Sequence, residues 1–365
     1  MNPAKMSSSQ DSASVFSDSR GRAALEGGRD PLPPTQEGGG RVPDPAEFPY
    51  YGSWFEKLVF LIRIAVLAPS SHNSQPWRFH VEDHRIDLLV DESRRLPVAD
   101  PDGRELYLSL GCALENLLVA AERFDLAYVY ELIPNSDEPS LAARVWFGTV
   151  GEPTPFRDRR LYDVVGDRHT HHGSFEDRPI PNDLMETWKR MVVEPGIDLW
   201  LIESRRLRER LSLLAERADQ AEFADPEFRH ELANAVGRGD LGDSWPMNWI
   251  GQWVIRHFDL GGSVGRKEAA LIQSAPLLGL ITAKTNHRVN QLRAGMVFER
   301  IALTATLSGV RLQPISSILE VAVTRDELAD LSPDPEMVPL HLFRLGFAEP
   351  EQRESPRRPL EDVLI

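Results

Sequence analysis

At 365 residues, 41% of them hydrophobic, the chain is long enough for one large domain or two smaller ones around a sizeable core. Its 41 Lys and Arg against 56 Asp and Glu leave a net charge of -15, which argues against general attraction to nucleic acid or to an anionic membrane surface. Cys112 is the single cysteine, so no intrachain disulfide can form; no apolar run reaches membrane length and MNPAKMSSSQ lacks an apolar signal core, so a cytoplasmic protein is expected.

Residues 1 to 46 are rich in Ser, Gly, Pro and charge and are expected to form a disordered tail, with the fold starting near Phe48. The run WFEKLVFLIRIAVL, 54 to 67, predicts an apolar helix that stops where Pro69 disfavours helical geometry at Ala68. A polar turn, APSSHNSQPWRF (68 to 79), follows. RFHV and RIDLLVD around EDH predict a hairpin, and DPDGRELYLSLGCALENLLVAAERF a turn leading into a long helix. In that helix Leu106, Leu110, Ala113, Leu114, Leu117 and Leu118 keep the helical period. The strands LAYVYELI and LAARVWFGTV complete the first half.

The second half repeats this outline: a helix at NDLMETWKRMVV, a break at EPG, a strand IDLWLIE, a strand PLLGLITAK, a helix LRAGMVFERIALTATLSGV and a last strand HLFRLGF. Laying GCALENLLVAAERFDL on GMVFERIALTATLSGV puts Gly111 on Gly295, Glu115 on Glu299 and Ala121 on Ala305. The match predicts a duplicated α+β unit, residues 47–155 and 156–365, arranged as a symmetric dimer within one chain. Between the repeated elements, SWPMNWIGQWVIRHF has Ser244 as a cap, Pro246 as first helical residue, and Trp245, Trp249 and Trp253 on one face. That stripe reads either as core or as a lid, 222–265, with the glycines of GRGDLGD and LGGSVG as hinges.

Ser, Asn and Pro are ordinary turn formers, so the polar turn could be structural alone. The same connection in the second half is EPGID, however, with neither Ser nor Asn, so the polar groups of the first are read as aimed at a ligand. APSSHNSQPWRF closely resembles the P-S-S-x-N-S-Q-P-W motif of FMN-dependent nitroreductases. RHTHHGSF, Arg168 to Phe175, resembles the R-x-[ST]-x-[RK] signature of that superfamily with its following Phe, and SPRRPLEDVL its Arg-bearing tail. The likeness spans roughly residues 50 to 365, and within the superfamily it is to the fused, single-chain Acg-type branch.

The resemblance implies a nitroreductase-like α+β fold and an FMN site composed from both halves. In it Pro69, Ser70, Ser71 and Asn73 would line ring and ribityl chain. Arg168, His169, Thr170, His172, Arg357 and Arg358 would face the phosphate, for which planar guanidinium groups suit. Pro314, Ile315 and Ser316 would pass near the flavin, while Gln75 and Trp77 would hold the turn. His172 stands where the motif carries Arg or Lys, and an imidazole is only partly charged near neutral pH, which weakens that contact. The twin site would have to use EPGID, so one flavin per chain is expected.

Two functions remain open at this level. One is ping-pong oxidoreduction from NADH or NADPH through FMN to a nitroaromatic, quinone or similar small acceptor, with no protein acid or base obligatory and the flavin N5 carrying the chemistry. The other is a non-catalytic store of FMN under a closed lid. Zinc is disfavoured because His171 and His172 are adjacent and no Cys or H-E-x-x-H accompanies them. A Ser70 or Ser71 hydrolase lacks the nucleophile elbow. Cys112 reads as buried filler. A chain that contains its own dimer is expected to be a monomer.

Overall fold

The computed structural model describes residues 41–365 except 136, 152, 238–260 and 350–354. The first helix, α1 (Trp54–Ala65), is fixed at its start by a capping box: Glu56 N donates to Ser53 Oγ and Ser53 N to the Glu56 carboxylate. Strands β1 (Trp77–Glu82) and β2 (Arg85–Val90) form the expected hairpin across Asp83 and His84, Asp83 taking positive φ. The long helix α2 (Arg104–Arg123) begins after Gly103, and the Asp100 carboxylate accepts the free N–H groups of Glu105 and Leu106 at 3.0 and 2.8 Å. Strands β3 (Ala127–Leu132) and β4 (Leu141–Gly148) complete an antiparallel sheet of order β1-β2-β4-β3.

The second half contains α3 (Asn182–Arg190), β5 (Ile197–Ile202), α4 (Arg205–Ala224), α5 (Pro226–Gly237), α6 (Gly261–Ser274), β6 (Leu277–Ala283) and α7 (Arg288–Leu307). Then come β7 (Val310–Pro314), the short helices α8 (Ser317–Glu320) and α9 (Ala322–Ala329), β8 (Val338–Phe347) and α10 (Leu360–Val363). Its sheet has the order β5-β6-β8-β7, the same as the first. Even the irregularities coincide: the pairing of the second strand with the last shifts register between Leu88 and Leu89 in one sheet and between Ile281 and Thr282 in the other. This is the duplicated α+β unit read from the sequence, and the main difference is an insertion, α4 to α6, where the first half has a tight turn.

The two copies of the long helix cross at their matched glycines. A Cβ on Gly111 would lie 2.1 Å from Leu292 O, and one on Gly295 would lie 2.0 Å from Leu108 O, so only glycine permits this approach. Leu108 and Leu292 each precede their glycine by one helical turn, as a pseudo-twofold axis through the crossing requires. Around it the apolar faces of α1, α2, α7 and both sheets form one continuous core.

Three readings are revised. LGGSVG is no hinge: Gly261 and Gly265 lie in α6, where added Cβ atoms would come within 3.0 Å of backbone oxygens of Asp219 and Glu216 on α4, so these glycines serve close helix packing. The described fold also starts before Phe48, since Val42 packs on the core and Tyr162 Oη donates to Pro43 O at 2.7 Å. The strand β7 and the helices α4 and α5 were not anticipated. Trp245, Trp249 and Trp253 lie outside the described residues.

Candidate functional site

A cleft of about 320 Å³ is lined by the polar turn, one face of α2, the Arg168 stretch, the end of β7 and the chain's C-terminal tail. It therefore draws on both halves, and Ser71 and Arg168 meet in it. The turn is shaped unusually. His72, Asn73 and Gln75 all have φ near +50°, a region costly for residues with a Cβ, and such local strain persists where surroundings over-determine it. Here the surroundings are specific. Gln75 N donates to Ser70 Oγ at 2.9 Å, Ser71 Oγ donates to Glu105 at 2.8 Å, and Asn73 Nδ2 donates to Pro356 O at 2.9 Å.

The last of these bonds fastens the C-terminal tail to the turn. Arg358 N donates to Gln75 Oε1 at 2.8 Å and Ile365 N to Phe79 O at 3.0 Å, so the second half's tail runs along the first half's edge strand β1. The tail delivers the Arg357 guanidinium, whose Nη2 donates to Leu67 O at 2.9 Å. Arg168 reaches toward the same carbonyl, at 3.4 Å.

A buried guanidinium, Arg168, and a half-buried one, Arg357, thus share one end of the cleft with little to neutralise them. Burial, then the neighbouring Arg168, pushes Arg357 down to about 9. The nearest carboxyl is Glu299: Arg168 Nε approaches its Oε1 at 3.4 Å without hydrogen-bond geometry. Burial lifts Glu299 to about 7 against the pull of Arg168. Arg357 Nε is buried without a partner. Such an arrangement fits a dianionic phosphate, which would supply the missing charge and acceptors. His169 is driven the other way, below its ordinary value, by burial and by Arg168 and Arg357, so it offers a neutral imidazole there.

The opposite end differs. Glu105, Ser109 and Cys112 descend one face of α2, and the eleven steps from Glu105 to Asn116 beside Glu299 span about 16 Å of helix. Burial pushes the Glu105 carboxyl up, but Arg104, His341 and Ser71 outweigh it and hold it below the ordinary range. Arg104 is committed to Glu105 and to Leu340 O at 2.7 Å. Phe298 and Pro314 provide apolar surface between the ends.

Of the residues singled out from the sequence, Pro69, Ser70, Ser71, Asn73, Arg168, His169, Thr170, His172, Pro314, Ser316 and Arg357 line the cleft. Ile315 and Arg358 do not. Alternation along the chain after β7 turns Ile315 into the core with Ile318 and Leu342, its N–H bonded to Leu342 O at 2.8 Å. Arg358 instead bridges Gln75 O at 3.0 Å and Asp91 at 3.1 Å, locking the tail. Glu105, Phe298, Glu320 and His341 were missed. The spacing of Glu105, Ser109 and Cys112 along one face of an otherwise apolar helix was the available signal for α2; nothing local marked His341.

The offset that superposes Gly111 on Gly295 also carries Glu105 to Val289, Ser109 to Arg293, Tyr130 to Pro314 and Leu132 to Ser316. Val289, Arg293, Tyr130 and Leu132, with Val193, Glu194 and Pro195, surround a second cavity of about 250 Å³, the twin of the first. Its charges are internally satisfied. Arg157 and Arg300 each grip Glu115 with two hydrogen bonds of 2.7 to 2.8 Å, and Arg300 also reaches Glu194 at 2.7 Å. Burial alone would raise Glu115, but Arg157 and Arg300 bring it to about 2. The stretch RVPDPAEF, with Arg41 and Phe48 spaced as Arg168 and Phe175 are, places Pro43 where the cleft has Thr170, and Arg41 is exposed.

Sheet order, crossed helices and composite cleft together define an α+β protein in which two copies of one unit share a single chain. In sequence the chain is similar to "Putative NAD(P)H nitroreductase acg" of Mycobacterium tuberculosis, 28% identical over 314 residues, 83% of this chain and 93% of the relative. It is 27% identical over 316 residues, 83% of this chain and 91% of the relative, to "Uncharacterized protein Rv3127" of the same organism. The solved structure of the FMN-dependent nitroreductase NfnB from Mycobacterium smegmatis in complex with NADPH covers 56% of this chain and 95% of its own at 15% identity and a TM-score of 0.35. No family model matches. Among the described residues no helix is long and apolar enough to cross a membrane, and no group of three or more His, Cys, Asp or Glu could hold a metal ion.

Proposed function

We propose that the protein is an FMN-dependent oxidoreductase of nitroreductase type, holding one FMN per chain in the composite cleft. The observation that carries this reading is the pair of guanidinium groups, Arg168 buried and Arg357 half-buried, left short of negative charge at one end of a cleft of ligand-pocket size. Arg168, Arg357 and Thr170 would hold the phosphate, with His172 beside them. Pro69, Ser70 and Ser71 on one side and Phe298 and Pro314 on the other would enclose ribityl chain and ring. The chemistry FMN would supply there is hydride acceptance from NADH or NADPH and reduction of a nitroaromatic, quinone or similar small acceptor.

The chain's own contribution is binding, orientation and electrostatics. Ser71 orients toward Glu105, and Arg104 balances the Glu105 charge, so the ring end gains no uncompensated carboxylate. Cys112 is fully buried with its thiol pushed well above the ordinary range, so it supplies a wall and no thiolate. No side chain needs to act as acid or base.

The test is titration of the purified protein with FMN, then anaerobic addition of NADPH and a nitroaromatic. Saturation at one FMN per chain, bleaching by NADPH and recovery on adding the acceptor are expected. Binding without bleaching would move the assignment to flavin storage, and failure to bind FMN would defeat it.

A further inference from the structure

His341 of β8 stands at the end of the cleft remote from the guanidinium groups. It is 2% exposed, packed edge-on against Phe298 with ring centroids 4.2 Å apart and stacked on Phe343 at 5.9 Å. Both ring nitrogens, Nδ1 and Nε2, are buried and without a hydrogen-bond partner. A buried polar group in that condition costs stability, and the strand offers no reason for one. Its neighbours Leu340, Leu342 and Phe343 are apolar and fully buried, so a Phe or Leu at 341 would suit the packing better.

The other polar groups at this end are already engaged. Ser71 Oγ donates to Glu105, Ser109 Oγ donates to Glu105 O at 2.7 Å, and Gln313 Oε1 accepts from Arg344 Nε at 2.6 Å. Arg104 is held between Glu105 and Leu340 O. Glu320 has its carboxyl pushed well above the ordinary range by burial and by Glu222. His341 therefore stands apart from these groups, with both an open donor and an open acceptor. Burial brings it down to about 4 against the pull of Glu105, so it stays neutral at physiological pH and presents one N–H and one lone pair.

We propose that His341 recognises the heteroatom edge of the planar ring bound in this cleft, one imidazole nitrogen exchanging a hydrogen bond with the ring's imide group. This rests on the flavin reading and deepens it: affinity is divided, with Arg168 and Arg357 gripping phosphate and His341 gripping the ring. A residue kept for a ligand at the expense of the empty fold leaves a signature that a core residue does not.

Three proteins separate these roles: wild type, H341F, which keeps the packing and removes both nitrogens, and H341Q, which keeps a donor and an acceptor. Each is titrated with FMN, with riboflavin as a ring without phosphate, and with inorganic phosphate as a phosphate without ring; thermal unfolding of the ligand-free proteins is followed alongside. Ligand-free H341F is expected to be at least as stable as wild type, yet to bind FMN and riboflavin about fivefold to tenfold more weakly with phosphate binding unchanged, and H341Q to recover part of the loss. Equal binding of both flavins by wild type and H341F overturns the role of His341 and leaves the flavin assignment standing. Loss of phosphate binding in parallel with flavin, together with a lower unfolding temperature, also overturns it, as the mark of a purely structural residue. A wild-type protein that binds phosphate and neither flavin overturns the flavin reading itself.

Discussion

Glu115 and Glu299 occupy matching turns of the two long helices, both fully buried, and the fold treats them oppositely. Two bidentate guanidinium groups hold Glu115 as a carboxylate down to about 2, whereas Glu299 sits near 7 with Arg168 only alongside. The residue after each glutamate explains much of the difference: Arg300 follows Glu299 and crosses to Glu115, while Asn116 follows Glu115 and brings no charge to Glu299. One copy of a symmetric pocket has thus been closed with its own ion pairs, and the other has been left with excess positive charge. The two copies share a scaffold and differ at matched positions, Asn116 against Arg300, in the charge they bring to the facing glutamate.

The sharpest way to break this comparison is Arg300→Ala. Removing Arg300 from this buried ionic network strands Glu194 and leaves Glu115 with Arg157 alone, and the cost should be about 3–5 kcal/mol, read from urea unfolding. In the open cleft the same kind of change should behave otherwise. Arg357→Ala removes a repelled cation, so stability should hardly fall, while FMN affinity drops about ten- to a hundredfold for a lost charge-assisted contact of roughly 1.5–3 kcal/mol. Equal destabilisation by the two substitutions would erase the distinction between the halves.

Glu299→Gln sharpens it through pH. With its folded value raised to about 7 from an ordinary 4.5, Glu299 binds its proton more tightly in the folded state. The stability this confers is complete below about pH 4.5 and is lost as pH rises through 7. The ligand-free glutamine variant should therefore gain stability relative to wild type between pH 5 and pH 8. Glu115 has the opposite sign: its contribution is present above the ordinary value and disappears only as pH falls toward 2. A difference between wild type and Glu299→Gln that is the same at both pH values would count against a neutral-range titration. The smallest effect is expected from His172→Arg, which should tighten FMN by up to about tenfold by adding a permanent charge to the phosphate end.

Much of the site was legible because turn chemistry is local. The Ser and Asn of the polar turn and the Arg168 stretch stood out against EPGID, and the cleft brings them together. The adjacent arginines of the tail were not separable by sequence, since only the clamp of Gln75 on the tail turns Arg357 inward and Arg358 toward Asp91. His341 was invisible for a related reason: in a strand buried on both faces, alternation no longer tells which side chain looks into a cavity.

By itself the sequence determined the elements of the repeated unit other than β7, and the duplication, because periodicity, capping and the need for glycine at a helix crossing are properties of short segments and of matched positions. The charge state of each matched glutamate was decided by tertiary structure. Glu115 and Glu299 share their local setting, and their charge depends on guanidinium groups brought to Glu115 from 42 and 185 residues away and withheld from Glu299. Electrostatic energy depends on distance in space, and chain separation does not reveal it.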